Sequence, residues 1–310
     1  MRLYKIYSFV LLFIISSCGG GGGGGGAAAI INATVNLIAN VTSIEVGKTV
    51  TITWSSQNAT SCTASGDWSG SKGTNGSEEV TITKPGSNNF ILSCAGGSGA
   101  TKTITIDGFR NISGITADGY ISGATIFIDT NDNLISDTDE PSTSSDNSGA
   151  FTNKFANGVL ISLDGQDVDT QYQLDGLMMM RSLTGHSTEM FAITPVTTIA
   201  YNLNDQNIYN ILGIDSSILI ETTDPVANKG DGGKYDYLYE KGNQLTILAL
   251  SLKNISNSLN STTENTSDYF KAISEELKKS HDASSNMVNI ESKEFIESII
   301  NNVISAKSLT

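Results

Sequence analysis

The sequence predicts a multidomain β-plus-α protein, with two β units followed by a helical bundle. Three observations predict it. Between Val46 and Trp54 the apolar side chains Val46, Val50, Ile52 and Trp54 share one face, the period of a half-buried strand. Near the middle of the chain, an apolar run ends in twelve residues crowded with Asp and Asn. Beyond Thr194, leucines and isoleucines recur every three or four residues, the spacing of one helix face.

The chain opens on a basic stretch, Met1-Arg2-Leu3-Tyr4-Lys5, and a ten-residue apolar run from Ile6 to Ile15. Ten residues are too few to span a bilayer, which takes roughly 20. A basic and then an apolar segment is the layout of a cleavable export signal. Ile15-Ser16-Ser17-Cys18 follows, and it resembles the lipobox of bacterial lipoproteins. The resemblance implies a signal over 1–17, cleavage before Cys18, a diacylglyceryl group on its thiol, and a membrane as partner through that lipid. Gly19 to Gly26 are eight consecutive glycines. Such a run has maximal backbone freedom and nothing to bury, so 18–32 is expected to be a tether reaching on the order of 20 Å. Gly19 stands where inner-membrane retention commonly needs an acidic residue. Within the lipoprotein resemblance, this favours the outer membrane or cell surface.

The formal net charge is -14 and the isoelectric point near 4.4. Such a chain repels phosphate, so nucleic acid is excluded as an expected partner, whereas divalent cations suit it. With Cys18 assigned to lipid, Cys62 and Cys94 remain as an even pair in an exported chain, and a disulfide between them is expected. It closes a loop of about 33 residues (62 to 94) and contributes about 3–4 kcal/mol.

The first β unit is expected over 33–107. Besides the run ending at Trp54, strands are expected at Val35 to Val41, Ser61 to Ser65, Glu79 to Thr83, Asn89 to Cys94 and Thr101 to Ile106, separated by Gly, Ser and Asn clusters. Thr53-Trp54-Ser55-Ser56, Ala59-Thr60-Ser61-Cys62, Gly66-Asp67-Trp68-Ser69-Gly70 and Leu92-Ser93-Cys94 resemble an immunoglobulin-like module of bacterial surface proteins. That resemblance implies a β-sandwich. It departs from antibody domains, because Trp54 precedes the first Cys and Leu92 stands two before Cys94 where those domains carry Tyr. Trp68 lies among polar residues and reads either as packed under a loop or as a sugar-stacking platform.

The second β unit is expected over 112–193. Gly119 to Ile128 reads as a strand that runs into Asp129-Thr130-Asn131-Asp132-Asn133-Leu134-Ile135-Ser136-Asp137-Thr138-Asp139-Glu140. Positions one, three, five, nine and twelve are Asp129, Asn131, Asn133, Asp137 and Glu140, and position seven offers the Ile135 carbonyl. This is the spacing of a twelve-residue calcium loop, in which hard oxygens converge and a carboxylate closes the shell. Asp129, Asp132, Asp137, Asp139 and Glu140 also repel one another unless a cation is present. Position six is Leu134 rather than Gly, and Pro141 follows in place of a helix. The strand, the loop and Ala150-Phe151-Thr152 resemble the B-type modules of serine-aspartate-repeat surface proteins and the related carboxypeptidase-regulatory-like sandwiches. The resemblance implies structural calcium. Asp164 to Asp169 lacks ligand spacing and reads as a turn. Leu177 to Met180 and Met190 to Ile193 read as buried strands.

Residues 194–310 are expected to be helical. Thr194-Pro195 is a helix start, and Thr194 to Ile199 resembles a Thr-Pro-Leu-Thr-Thr-Leu signature that follows such β modules in large surface proteins. A short helix from Asn207 to Leu212 stops at Gly213. Leu238, Leu245, Leu248, Leu252, Ile255 and Leu259 form one stripe. Phe270, Ile273 and Leu277 form another, and Phe295, Ile296, Ile299, Ile300, Val303 and Ile304 a third. Stripes that need one another make a bundle. The only histidines are His186 and His281, and no nucleophile elbow or zinc motif occurs, so no enzyme is expected. The expected function is a calcium-stabilised modular surface lipoprotein, adhesive or ligand-binding, with a surface glycan or protein as partner. Two alternatives stand beside it. One is a structural or assembly component of the envelope. The other is a polysaccharide-binding accessory protein using Trp68 or Tyr235, Tyr237 and Tyr239.

Overall fold

The computed structural model describes residues 31–155, 157–174, 176, 178–182, 190–204, 207–230, 232–259 and 265–308. Cys18, the leader, the glycine run, Leu177 and His186 lie outside them. The chain is β-rich, with several sheets and a helical C-terminal region.

The first eight strands are β1 (Thr34–Ala39), β2 (Ser43–Glu45), β3 (Thr49–Gln57), β4 (Ser61–Gly66), β5 (Gly70–Lys72), β6 (Asn75–Thr81), β7 (Gly86–Ala95) and β8 (Ala100–Thr116). One sheet has the order β1-β3-β6; another runs β5-β4-β7-β8. In β3 the period of two buries Val50, Ile52 and Trp54, and in β7 it buries Phe90, Leu92 and Cys94. These residues join Leu37, Ala64, Trp68, Ile82 and Ile106 in one core, so the two sheets bury their faces together. A fully buried side chain of this size contributes about 1.5–3 kcal/mol. The run from Val46 to Trp54 is not one strand: Gly47 has φ 92°, and β3 starts only at Thr49.

β8 has 17 residues and serves both β units. Its first half pairs with β7, and its second half pairs antiparallel with β12 (Ala150–Phe155) and parallel with β16 (Met190–Ile193). The chain therefore passes from one unit to the next inside a continuous strand. Between them lie β9 (Ile121–Ser122), β10 (Thr125–Asp129) and β11 (Ser142–Ser144), and after β12 come β13 (Val159–Leu163), β14 (Gln166–Asp167) and β15 (Met178–Ser182). A four-stranded sheet has the order β11-β10-β13-β15. The strand expected from Gly119 to Ile128 is split, because Gly123 adopts φ 69° between β9 and β10. Met190 is 54% exposed rather than buried, while Phe191, Ala192 and Ile193 are buried.

The helices are α1 (Pro195–Leu203), α2 (Ile208–Leu212), α3 (Pro225–Asn228), α4 (Lys234–Leu259), α5 (Thr266–Ser284) and α6 (Lys293–Ser308). α1 starts at a capping box: Thr194 Oγ1 accepts the Thr197 N–H at 3.2 Å, and the Thr194 N–H donates to Thr197 Oγ1 at 2.8 Å. The Thr198 hydroxyl adds a bond to the Thr194 carbonyl at 2.8 Å. The Thr-Pro-x-Thr-Thr pattern is thus a buried helix start. Leu238, Leu245 and Leu252 of α4, Phe270, Ile273 and Leu277 of α5, and Phe295, Ile299 and Val303 of α6 are buried in one apolar cluster. The same cluster includes Ile126, Ile128, Phe151, Leu160 and Phe191 from the strands. Helices and second β unit therefore share a core. Among the described residues, no helix is long and apolar enough to cross a membrane.

Candidate cation loop

β10 delivers Asp129 to the mouth of the acidic loop. Ile126, Phe127 and Ile128 are fully buried, and Asp129 continues inward at 1% exposure. A carboxylate there needs donors, because burying an unpaired charge is costly. Its Oδ1 accepts the main-chain N–H groups of Asn131, Asp132 and Asn133 at 3.2, 2.7 and 3.3 Å, and its Oδ2 accepts that of Leu134 at 2.7 Å. These four bonds curl the chain around the carboxylate. Glu140, also buried, closes the far end. Its Oε1 accepts the Thr130 N–H at 2.7 Å, and its Oε2 accepts the Asp137 N–H at 3.2 Å.

Asp137 Oδ2 accepts the side-chain amides of both Asn131 (2.9 Å) and Asn133 (2.8 Å). Those amides hold its carboxyl below the usual carboxylate range. The Ile135 side chain is 60% exposed, so it takes no part in the loop centre, and its N–H donates to Asn133 Oδ1 at 2.8 Å. The sequence-chosen residues thus lie on one closed loop, tied through Asp129 and Glu140 at its ends and through Asp137 at its middle.

Leu134 has φ 60° at position six, the left-handed turn for which glycine is the usual residue. A non-glycine residue there costs about 1–2 kcal/mol. Its half-buried side chain packs against a small core of Phe127 and Ile161, on which Val159, Leu163 and Tyr201 also pack and which is separate from the larger core. Tyr201 comes from α1, so the helical region reaches the loop. Burial, and then the negative charges of Asp132 and Asp129, raise the Tyr201 phenol above its ordinary value. Tyr201 and the small core around Leu134 are not visible in the sequence, because nothing in the loop spacing says which helix packs on it.

The donors of this loop are all hard oxygens, the chemistry that calcium takes. Among the described residues, no three His, Cys, Asp or Glu gather as a ready metal group. A cation here therefore depends also on Asn131, Asn133 and the Ile135 carbonyl, and both amides must turn their oxygens toward it.

Cys62 and Cys94 face each other across β4 and β7, bonded at 2.05 Å. They join neighbouring strands of one sheet rather than two sheets. Trp68 is 6% exposed, meets Trp54 edge-on at 5.6 Å and Phe90 at 6.1 Å, and donates from Nε1 to the Ile91 carbonyl at 3.1 Å. It is a core residue, and no free ring face is offered to a sugar. Tyr235, Tyr237 and Tyr239 are each half-buried and lie under Lys234, Lys241 and Lys229, respectively. At 100° per residue, Tyr237 falls about 200° round the helix from Tyr235, so the three do not share a face. His281 bonds the Asn286 carbonyl through Nδ1 at 2.8 Å. The turn expected over Asp164 to Asp169 is interrupted by β14; the turn itself starts at Val168, and Asp167 Oδ1 accepts the N–H groups of Asp169 and Thr170 there at 2.8 Å.

A scan against protein-family models and a search of curated proteins each return no match.

Proposed function

We infer that the chain is a membrane-anchored surface lipoprotein, not an enzyme, that holds two β units outward on a calcium-stabilised frame for adhesion or ligand binding. The observation that carries this reading is the Asp129–Glu140 loop. Its left-handed Leu134 packs against the small core of Phe127 and Ile161, and Asp129, Asp137 and Glu140 are tied into one closed loop of oxygen side chains. The Ile15-Ser16-Ser17-Cys18 lipobox resemblance and a bonded Cys62–Cys94 pair support an oxidising, extracytoplasmic setting. In this reading the first unit is an immunoglobulin-like sandwich, supported by two sheets burying one core, although its cysteine pair stays within a sheet. The second unit is a surface-protein β module stiffened by calcium, and α1 to α6 form a bundle docked on it. The outside partner is a glycan or a protein.

Structural calcium of this extracellular kind binds at about 10⁻⁴–10⁻³ M. At roughly 5 mM calcium, that affinity stabilises the folded chain by about 1–2 kcal/mol. Thermal melting should therefore rise by several degrees on adding calcium after a chelator, and the rise should vanish in Asp129→Ala and in Asp137→Ala. An unchanged wild-type melting temperature contradicts the calcium assignment.

Continuous β8 and the shared core also suit a structural or assembly part of the envelope. Protease treatment of intact cells separates the two readings. Loss of the protein from the cells supports the outward-facing one, and full protection supports the envelope component. Mass spectrometry of native protein should find Cys18 acylated and residues 1–17 removed. An intact leader with a free thiol removes the basis for both.

A further inference from the structure

Asp118 has no part in the cation loop. It sits in the turn bridged by Ala117 and Tyr120 after β8, where the β units meet the helices. Its Oδ1 is sealed from solvent and, among the described residues, has no hydrogen-bond partner. The polar group nearest in effect is the Thr246 hydroxyl of α4, equally buried and unpartnered. A cavity of about 10 Å³ adjoins the carboxyl, bounded by Ala117, Thr194, Pro195, Leu238, Tyr239 and Asn243. That is room for one water at most.

The surrounding charges do not help it. β14 contributes Asp167, whose Oδ2 lies so close that a Cβ on Gly119 would meet it at 2.6 Å. From the α3 side, Asp224 accepts the Tyr120 hydroxyl at 2.9 Å, and Lys229 pairs with Asp169 at 3.7 Å and lies over Tyr239. α4 contributes Lys241, which donates to Gln244 Oε1 at 2.7 Å and lies over Tyr237. α1 brings Thr194, Pro195 and Val196, none of them charged. Desolvation, with the like charge of Asp167 added, pushes the Asp118 carboxyl from 3.8 to about 7 against the pull of Thr246.

We propose that this seam is a proton-operated latch: it is shut while Asp118 carries its proton and donates to the Thr246 hydroxyl, and it loosens when Asp118 ionises. The protonated carboxyl brings no charge into an apolar seam and offers a partner to the Thr246 hydroxyl, which has none among the described residues. The carboxylate faces the like charge of Asp167, and the Thr246 hydroxyl alone draws it the other way. In an opened seam the carboxyl returns toward its ordinary value, so the shut form binds the proton more tightly. Its advantage is full below about pH 4, falls between about pH 4 and pH 7, and changes little above that.

Hydrogen exchange of the α4 amides in the full chain tests this, corrected for intrinsic rates and with chelator present throughout, so that the acidic loop does not contribute. Between pH 5 and pH 8, opening should increase on the order of a hundredfold in the wild type relative to Asp118→Asn. Equal pH dependence in the two proteins overturns the latch. Should Asp118→Asn not fold, a carbon-13 titration of the wild-type carboxyl decides: a midpoint near 7 supports the latch, and one below about 5 overturns it.

Discussion

Trp68→Ala should lower the stability of the first β unit by about 3–5 kcal/mol. The indole is buried against Trp54 and Phe90, so truncation removes the transfer energy of the ring and leaves a cavity between two aromatic neighbours. It also strips the Ile91 carbonyl of the Nε1 donor and Lys72 of the ring it lies over at 4.9 Å. Denaturant unfolding of wild type and variant measures the loss as a shift in midpoint. Unchanged stability together with loss of a glycan-array signal would instead mean that Trp68 acts as an exposed platform.

Replacing both Cys62 and Cys94 by Ala should cost about 3–4 kcal/mol, because the unfolded chain regains the freedom of the intervening loop. The two residues are 1% and 3% exposed, so the shortened side chains also leave the core underfilled. They pair directly across β4 and β7, so the bond fixes the register of the two strands. Unfolding of the wild type under reducing conditions should fall to the level of the double variant. Coincident oxidised and reduced unfolding curves would show that the bond contributes nothing.

Much of the fold is legible because its signals are local. The alternation in β3 and β7 is written in Val50, Ile52, Trp54 and in Phe90, Leu92, Cys94, and burial follows it. The stripes through Leu245, Phe270 and Ile299 locate α4, α5 and α6 for the same reason. β2 and β5 are not legible. Each has three residues, and β2 is defined by parallel pairing with β8, more than sixty residues away. Met190 is read as buried from the apolar run it begins, yet it lies at the outer end of β16. Position in a sheet, not hydrophobicity, decides its exposure.

The loop is legible in part. Spacing alone selects Asp129, Asn131, Asn133, Asp137 and Glu140, and four main-chain donors do converge on Asp129. What spacing cannot give is the packing around Leu134. Leu134 packs on Phe127 and Ile161, which come from two strands, and Tyr201, 67 residues on from 134 to 201, joins the same cluster from a helix. Asp118 is less legible still. Nothing in Ala117-Asp118-Gly119-Tyr120 marks the Asp118 Oδ1 as sealed, because the groups around it come from far along the chain, Thr246 of α4 being 128 residues later, from 118 to 246.

Calorimetric titration of chelator-treated protein with calcium is the most direct measurement of what the acidic loop does. About one ion per chain should bind, with a dissociation constant of about 10⁻⁴–10⁻³ M, and binding should be lost in Asp129→Ala and Asp137→Ala. No saturable heat up to about 10 mM calcium, or equal binding by the variants, would contradict calcium as the ligand of residues 129–140.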